Sequence, residues 1–403
     1  MVTATLPEEM VGRSVAAGEV ALPAMALRAD ALEHNLAVMA ALARREGFLL
    51  APHGKVTMCP ELFRRQLEAG AWGMTVANVT QARVAVAAGA ERVLVANEVL
   101  ACPDAAWIVS VEGSVEVLCL VDSVDGVQVL DAALRTAGCG RPIGVLVEFG
   151  AVGGRAGVRT DAAARDVCRA VQGASNLTLV GVEGFEGSVG ADRSPAQLAA
   201  VDAYLEELRA LTVTLADEGF FDPHRPVLVS AGGSKFFDRV IRLLGRDADF
   251  GGHACSLVLR SGCYLVHDHG VYEVNTPLGR DVPEEDRLRP AIEIWAEVLS
   301  RPEPGLAIIG LGRRDAAFDA GLPVLLSAVD RDGQALNEDV AGQLLKLDDQ
   351  HGYLAVDPTN GLRVGDRLVF GISHPCTTFD KWRHVLLLDR ERRVTRVLHT
   401  EFH

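Results

Sequence analysis

The chain is short of aromatic side chains, which make up 5% of its 403 residues, and short of positive charge, with 39 Lys and Arg against 54 Asp and Glu. A formal charge of -15 argues against a broad nucleic-acid surface, because such binding relies on clustered cations that displace counterions. It leaves room for a local basic pocket that takes a small anion. Apolar runs of membrane-spanning length are missing. The opening "MVTATLPEEMVGRSVAAGEVALP" has no basic segment followed by a secretory core, so no membrane partner and a cytoplasmic location are expected. The eight cysteines are scattered without the dense spacing of a disulfide framework, which points to reduced thiols. Also absent is an early strand, Gly-rich turn and helix of the kind that builds a dinucleotide-binding sheet.

What is present is a rhythm. Over the first two-thirds, apolar runs such as "FLLAPHGK", "RVLVANEV" and "IGVLVEFG" alternate with helical stretches such as "PELFRRQLEAGA" that end on glycine. The units repeat through "PVLVSAGGS" and "SLVLRSGCYL", eight in all, and predict an α/β fold with a closed TIM-type (β/α)8 barrel. Beyond about Tyr272 short β-like runs divided by polar turns take over. The expected organisation is an N-terminal segment over 1–29 packing with the β domain, a barrel over 30–271 and a mainly β domain over 272–403.

In such a barrel, reactive groups gather where strands leave it at their C-terminal ends. Lys55, in "APHGKVTMCPEL", stands at the first of these ends. An isolated lysine is ordinarily a surface charge, but an amine in this place can form a Schiff base with a carbonyl cofactor. Two late segments supply a candidate anion cradle. They are "SAGGSKFF", with Gly232, Gly233 and Ser234, and "LRSGCYLVHDHG", with Ser261, Gly262, Cys263 and, packing on or beside the cofactor ring, Tyr264. Arg155 in "GGRAG" is a candidate contact for a substrate carboxylate or the cofactor ring, and His53 for the wall beside Lys55. In the C-terminal part, His374 and Cys376 of "SHPCTTFD" have N/S metal-ligand chemistry, although two donors are not a complete metal signature. His351 of "DDQHGYL" is either a solvated turn residue or an acid/base group.

The combination resembles the fold-type III pyridoxal-phosphate enzymes, particularly the D-serine dehydratase and D-threonine aldolase group. The resemblance is carried by "PHGKVTMCPEL", "GAWGMTVANVTQA", "VLVANEV", "EGFEGSVG", "RSGCYLVHDHG", "GLGRRDAAFDAGLP", "DDQHGYL" and "GISHPCTTFDKW", and spans roughly Arg28 to Trp382. It implies an alanine-racemase-like barrel followed by a β domain, a homodimer, pyridoxal 5'-phosphate bound at Lys55, and a small D-amino-acid substrate. It also implies zinc at the His-x-Cys pair of His374 and Cys376, as in dehydratase-like members; aldolase-like members resemble His-x-Asp. His351 is implied as a substrate contact or acid/base group near the metal. The chain departs from the pattern at "KVTM", where relatives often have "KTHK", and at Phe185, where they can have tyrosine. The expected reaction is dehydration and deamination of a D-β-hydroxy amino acid to a 2-oxo acid and ammonia. Aldol cleavage to glycine and an aldehyde is the rival, followed by racemisation and by non-catalytic cofactor binding.

Overall fold

The computed structural model describes residues 7–336 and 340–402. Strand β1 (Ala24–Arg28) leads directly into an 18-residue helix, Ala29–Glu46. Then come the barrel strands β2 (Leu49–Leu50), β3 (Met74–Val76), β4 (Arg92–Glu98), β5 (Glu116–Val121) and β6 (Ile143–Phe149). They continue with β7 (Leu177–Gly184), β8 (Val227–Ala231) and β9 (Cys255–Leu259). All neighbours in the order β2-β9-β8-β7-β6-β5-β4-β3 run parallel. Hydrogen bonds from Trp72 N to Leu50 O (2.7 Å) and from Thr75 N to Pro52 O (2.9 Å) bring the last strand back to the first. The eight-strand reading of the sequence therefore holds.

The strands read as continuous apolar runs because both of their faces are covered. In β5, Leu118 and Leu120 join Leu94 and Leu146 in one cluster within the barrel, whereas Val117, Cys119 and Val121 belong to the larger core formed with the helices. Burying each such leucine is worth roughly 1.5–3 kcal/mol, an upper figure for a chain already partly compact when unfolded. Three of the helices that follow strands begin where a polar side chain caps their free amides. Asn78 Oδ1 accepts from Gln81 N at 2.9 Å, and the Ser123 and Thr160 hydroxyls accept from Gly126 N and Ala163 N, each at 3.2 Å.

The rest of the chain is mainly β: β10 (Ile292–Glu303), β11 (Leu306–Ile309), β12 (Val324–Val329), β13 (Gly342–Leu347), β14 (Gly352–Val356), β15 (Arg367–Gly371), β16 (His384–Leu388) and β17 (Val394–His399). Its sheet takes in β1, which lies antiparallel to β10 and parallel to β16. Between β15 and β16 a one-turn helix, Cys376–Phe379, packs against the 3-10 turn Gly54–Val56 at the end of the first barrel strand. That contact carries residues of the second domain to the mouth of the barrel. Among the described residues no helix is long and apolar enough to cross a membrane.

Candidate active site at the domain seam

Lys55 sits in the Gly54–Val56 turn with its side chain exposed to two adjoining cavities. One, of about 240 Å³, is lined by His53, Asn97, Glu148, Arg155, Phe185 and Arg260 among others. The second, of about 300 Å³, adds Ser234, Gly262, Cys263, Asp268, His374 and Cys376. The barrel thus supplies the amine and the β domain the imidazole and thiol, across one opening.

The site gathers cations within an acidic chain. Lys55, Arg155 and Arg260 all face it, and Arg260 is almost fully buried, paired with Glu183 and donating to Gly184 O at 2.7 Å. Burial, reinforced by the neighbouring positive charges of Lys55, Arg260 and Arg155, pushes the His53 imidazole well below its usual range, so it stands as a neutral wall. Arg155 lies over the Phe185 ring at 5.0 Å from its centroid. Such a cluster suits an anionic ligand.

The glycines do two different things. Gly232, at φ +101°, leaves no room for a side chain, since a Cβ would come within 2.2 Å of Leu259 Cδ1, and at Gly262 it would meet the His53 carbonyl oxygen at 2.6 Å. The cradle expected from Gly232 and Gly233 is, however, already engaged: their amides donate to the Glu186 carboxylate at 3.1 and 2.6 Å. Cys263 N donates to Ser234 Oγ at 3.3 Å. Among the described residues the amides of Ser234 and Gly262 have no protein acceptor, and both residues line the larger cavity. Ser261 is a buttress, its hydroxyl donating to the Gly232 and Gly233 carbonyls at 3.2 and 3.1 Å.

Two expected site residues lie elsewhere within the chain. Tyr264 is buried in the core with its hydroxyl accepting from Gln66 Nε2 at 3.1 Å, and it lines neither cavity. An apolar-flanked aromatic beside the "RSG" turn reads equally well as core, and here packing took it. His351 occupies the tight β13–β14 turn, its carbonyl accepting from Asp348 N at 2.8 Å, with its side chain exposed and away from Lys55. The His267 Nδ1 is engaged locally with Asp268.

The metal-side residues are better arranged. His374 Nδ1 bonds Asp319 Oδ2 at 2.7 Å, which leaves Nε2 as its free nitrogen, the carboxylate–histidine pattern that orients a metal-ligating ring. Thr377 Oγ1 holds the other Asp319 oxygen at 3.0 Å. Among the described residues no group of three His, Cys, Asp or Glu is arranged around a metal position, so a metal here would keep positions open for water or substrate.

Sequence reasoning missed Glu186, Asp268 and the approach of the Cys263 and Cys376 thiols, which line one cavity. Glu186 and the cysteine pair join segments far apart in the chain, with no local motif to signal them, whereas Asp268 is held within its own turn, accepting from Gly270 N and Tyr272 N at 2.8 and 2.9 Å. Glu148 is a further buried carboxyl. Burial first, then the charges of Glu183 and Glu98, push it up to about 8. A folded-state pKa above the unfolded value of 4.5 means that its contribution to stability is fully present below that value and is lost as pH rises through about 8. Glu148→Gln keeps the shape without the ionisation. Its melting temperature relative to the parent should therefore climb between about pH 5 and about pH 9, and a pH-independent difference would contradict this assignment.

Known families agree with the architecture. The alanine racemase N-terminal domain matches residues 27–236, over half of the chain, and a serine dehydratase domain matches residues 291–388. The 3-hydroxy-D-aspartate aldolase of Paracoccus denitrificans (strain Pd 1222) is 27% identical over 372 residues, covering 90% of this chain and 88% of that protein. The structure of D-threonine aldolase from Filomicrobium marinum superposes with a TM-score of 0.80 at 27% identity, covering 97% of both chains. D-threo-3-hydroxyaspartate dehydratase from Delftia sp. HT23 shares the fold, with a TM-score of 0.74 at 21% identity over 96% of this chain and 99% of that one. The chain belongs to the fold-type III pyridoxal-phosphate enzymes, as an alanine-racemase-type barrel joined to a serine-dehydratase-type β domain.

Proposed function

We propose that the protein is a pyridoxal-phosphate-dependent lyase that dehydrates and deaminates a small D-β-hydroxy amino acid to a 2-oxo acid and ammonia. The observation that carries the reading is that Lys55 shares one cavity with His374 and Cys376. Lys55 would hold the cofactor in the resting protein and the Ser234 and Gly262 amides its phosphate; joined instead to the substrate amine, the cofactor would supply an electron sink for negative charge at the α-carbon. Once the substrate amine has freed it, Lys55 Nζ would serve as the base for the α-proton. Arg155 offers a guanidinium to the substrate carboxylate, and neutral His53 closes the wall without adding a second charge. His374 Nε2 and Cys376 Sγ would hold a zinc ion, whose Lewis acidity favours loss of the β-hydroxyl. Asp319 fixes the ring that presents this nitrogen.

The His-x-Cys pair favours dehydration within this group of enzymes. Aldol cleavage is the second reading, favoured by the names of the Paracoccus and Filomicrobium relatives, each 27% identical. The two differ in the bond broken, so products decide. Purified protein given serine, threonine and 3-hydroxyaspartate in each stereochemical form should release ammonia and the matching 2-oxo acid from a D-isomer. Stoichiometric glycine and aldehyde would select aldol cleavage instead, and no breakdown of any β-hydroxy amino acid would leave racemisation or a cofactor-binding role.

A further inference from the structure

The thiols of Cys263 and Cys376 belong to different domains. Cys263 follows Gly262 in the loop after the last barrel strand, and Cys376 opens the one-turn helix of the β domain that packs against the Lys55 turn. Gly262 and the Cys376 helix pack on the same Gly54–Val56 turn, each thiol lies within the other's electrostatic reach, and both line the cavity of about 300 Å³ that contains Lys55. Both are partly exposed, whereas Cys59, Cys119 and Cys168 are buried in the core. A small reagent that enters the cavity therefore meets two adjacent thiols at once, the arrangement in which a mixed disulfide is resolved by its neighbour faster than by a second molecule.

We propose that Cys263 and Cys376 form a thiol-oxidation site that closes to an interdomain disulfide and thereby silences the enzyme. The oxidant is a low-molecular-weight disulfide. One cysteine sulfur attacks it and releases a first small thiol; the second cysteine sulfur then displaces the other half. One Sγ–Sγ bond forms, the oxidant's S–S bond breaks, and two electrons pass to it, with the two protons of the cysteines ending on the two released thiols. The product ties the β domain to the barrel across the cavity mouth and removes the Cys376 sulfur as a metal donor. The pairing is independent of the reaction assigned above, whereas the loss of turnover rests on that reading.

The test uses the full-length holoprotein, incubated with oxidised glutathione, alkylated and digested without reduction. The expected result is a linked peptide containing Cys263 and Cys376, the loss of two of the eight alkylatable thiols, and a fall in turnover that dithiothreitol reverses in step with disappearance of the linked peptide. In Cys263→Ser the Cys376 thiol should be recovered by dithiothreitol only from a mixed disulfide with glutathione. Alkylation of both cysteines after oxidation, or a link from Cys376 to another cysteine, would overturn the pairing. A linked peptide with undiminished turnover would overturn the silencing. Peptide mapping reads the pairing even if the substrate assignment fails, so the two failures are separable.

Discussion

Replacing Lys55 with alanine is expected to lower turnover of D-β-hydroxy amino acids on the order of 10³-fold or more, because one side chain both anchors the cofactor and moves the α-proton. Lys55→Arg should fail comparably, since a guanidinium keeps the charge but is neither a nucleophile nor a base at neutral pH. The chain has only four lysines, and none of the others stands ready as a substitute. Lys235 also borders the larger cavity, but its ammonium donates to Ala191 O at 2.9 Å. Lys346 lies over the Tyr353 ring, its Nζ 3.9 Å from the centroid, in the β domain. Lys381 follows the one-turn helix and lines neither cavity. Absorbance of the bound cofactor, followed through gel filtration, separates loss of the anchor from a general loss of folding.

Cys376→Ala carries the second large effect. Outer partners of a metal ligand are typically worth about 10–100-fold in affinity or activity, and a ligand itself should cost at least as much. Zinc content and turnover should fall together, while attachment of the cofactor at Lys55 persists. Added zinc should restore a chelator-treated parent but not the variant. Undiminished turnover in a metal-free parent would remove the metal from the account.

The barrel was legible because a doubly covered strand reads as an apolar run, a capping side chain starts three of its helices and glycine stands at or near the end of most of them. Lys55, Arg155, His374 and Cys376 could be singled out because they combine reactive chemistry with a position at a strand end or in a motif of paired donors. Tyr264 and His351 show where that reasoning stops. Adjacency to a reactive turn does not say which way a side chain points, and Tyr264 turned into the core toward Gln66. His351 sits in a hairpin turn whose place relative to the barrel depends on how the two domains dock. The same docking brings Cys376 to Cys263, while the packing of two neighbouring barrel loops puts the Glu186 carboxylate on amides that glycine spacing alone had offered to a phosphate. These are tertiary contacts between distant segments, with no local pattern to give them away.

The claim on which the rest depends is that Lys55 is the amine that holds the cofactor. Borohydride reduction of the holoprotein, followed by digestion and peptide mass analysis, reads this without any assumption about substrate. The account expects a reduced pyridoxyl group on the peptide containing Lys55 and on no other. A reproducible label on Lys235, Lys346 or Lys381 with Lys55 unmodified would contradict it.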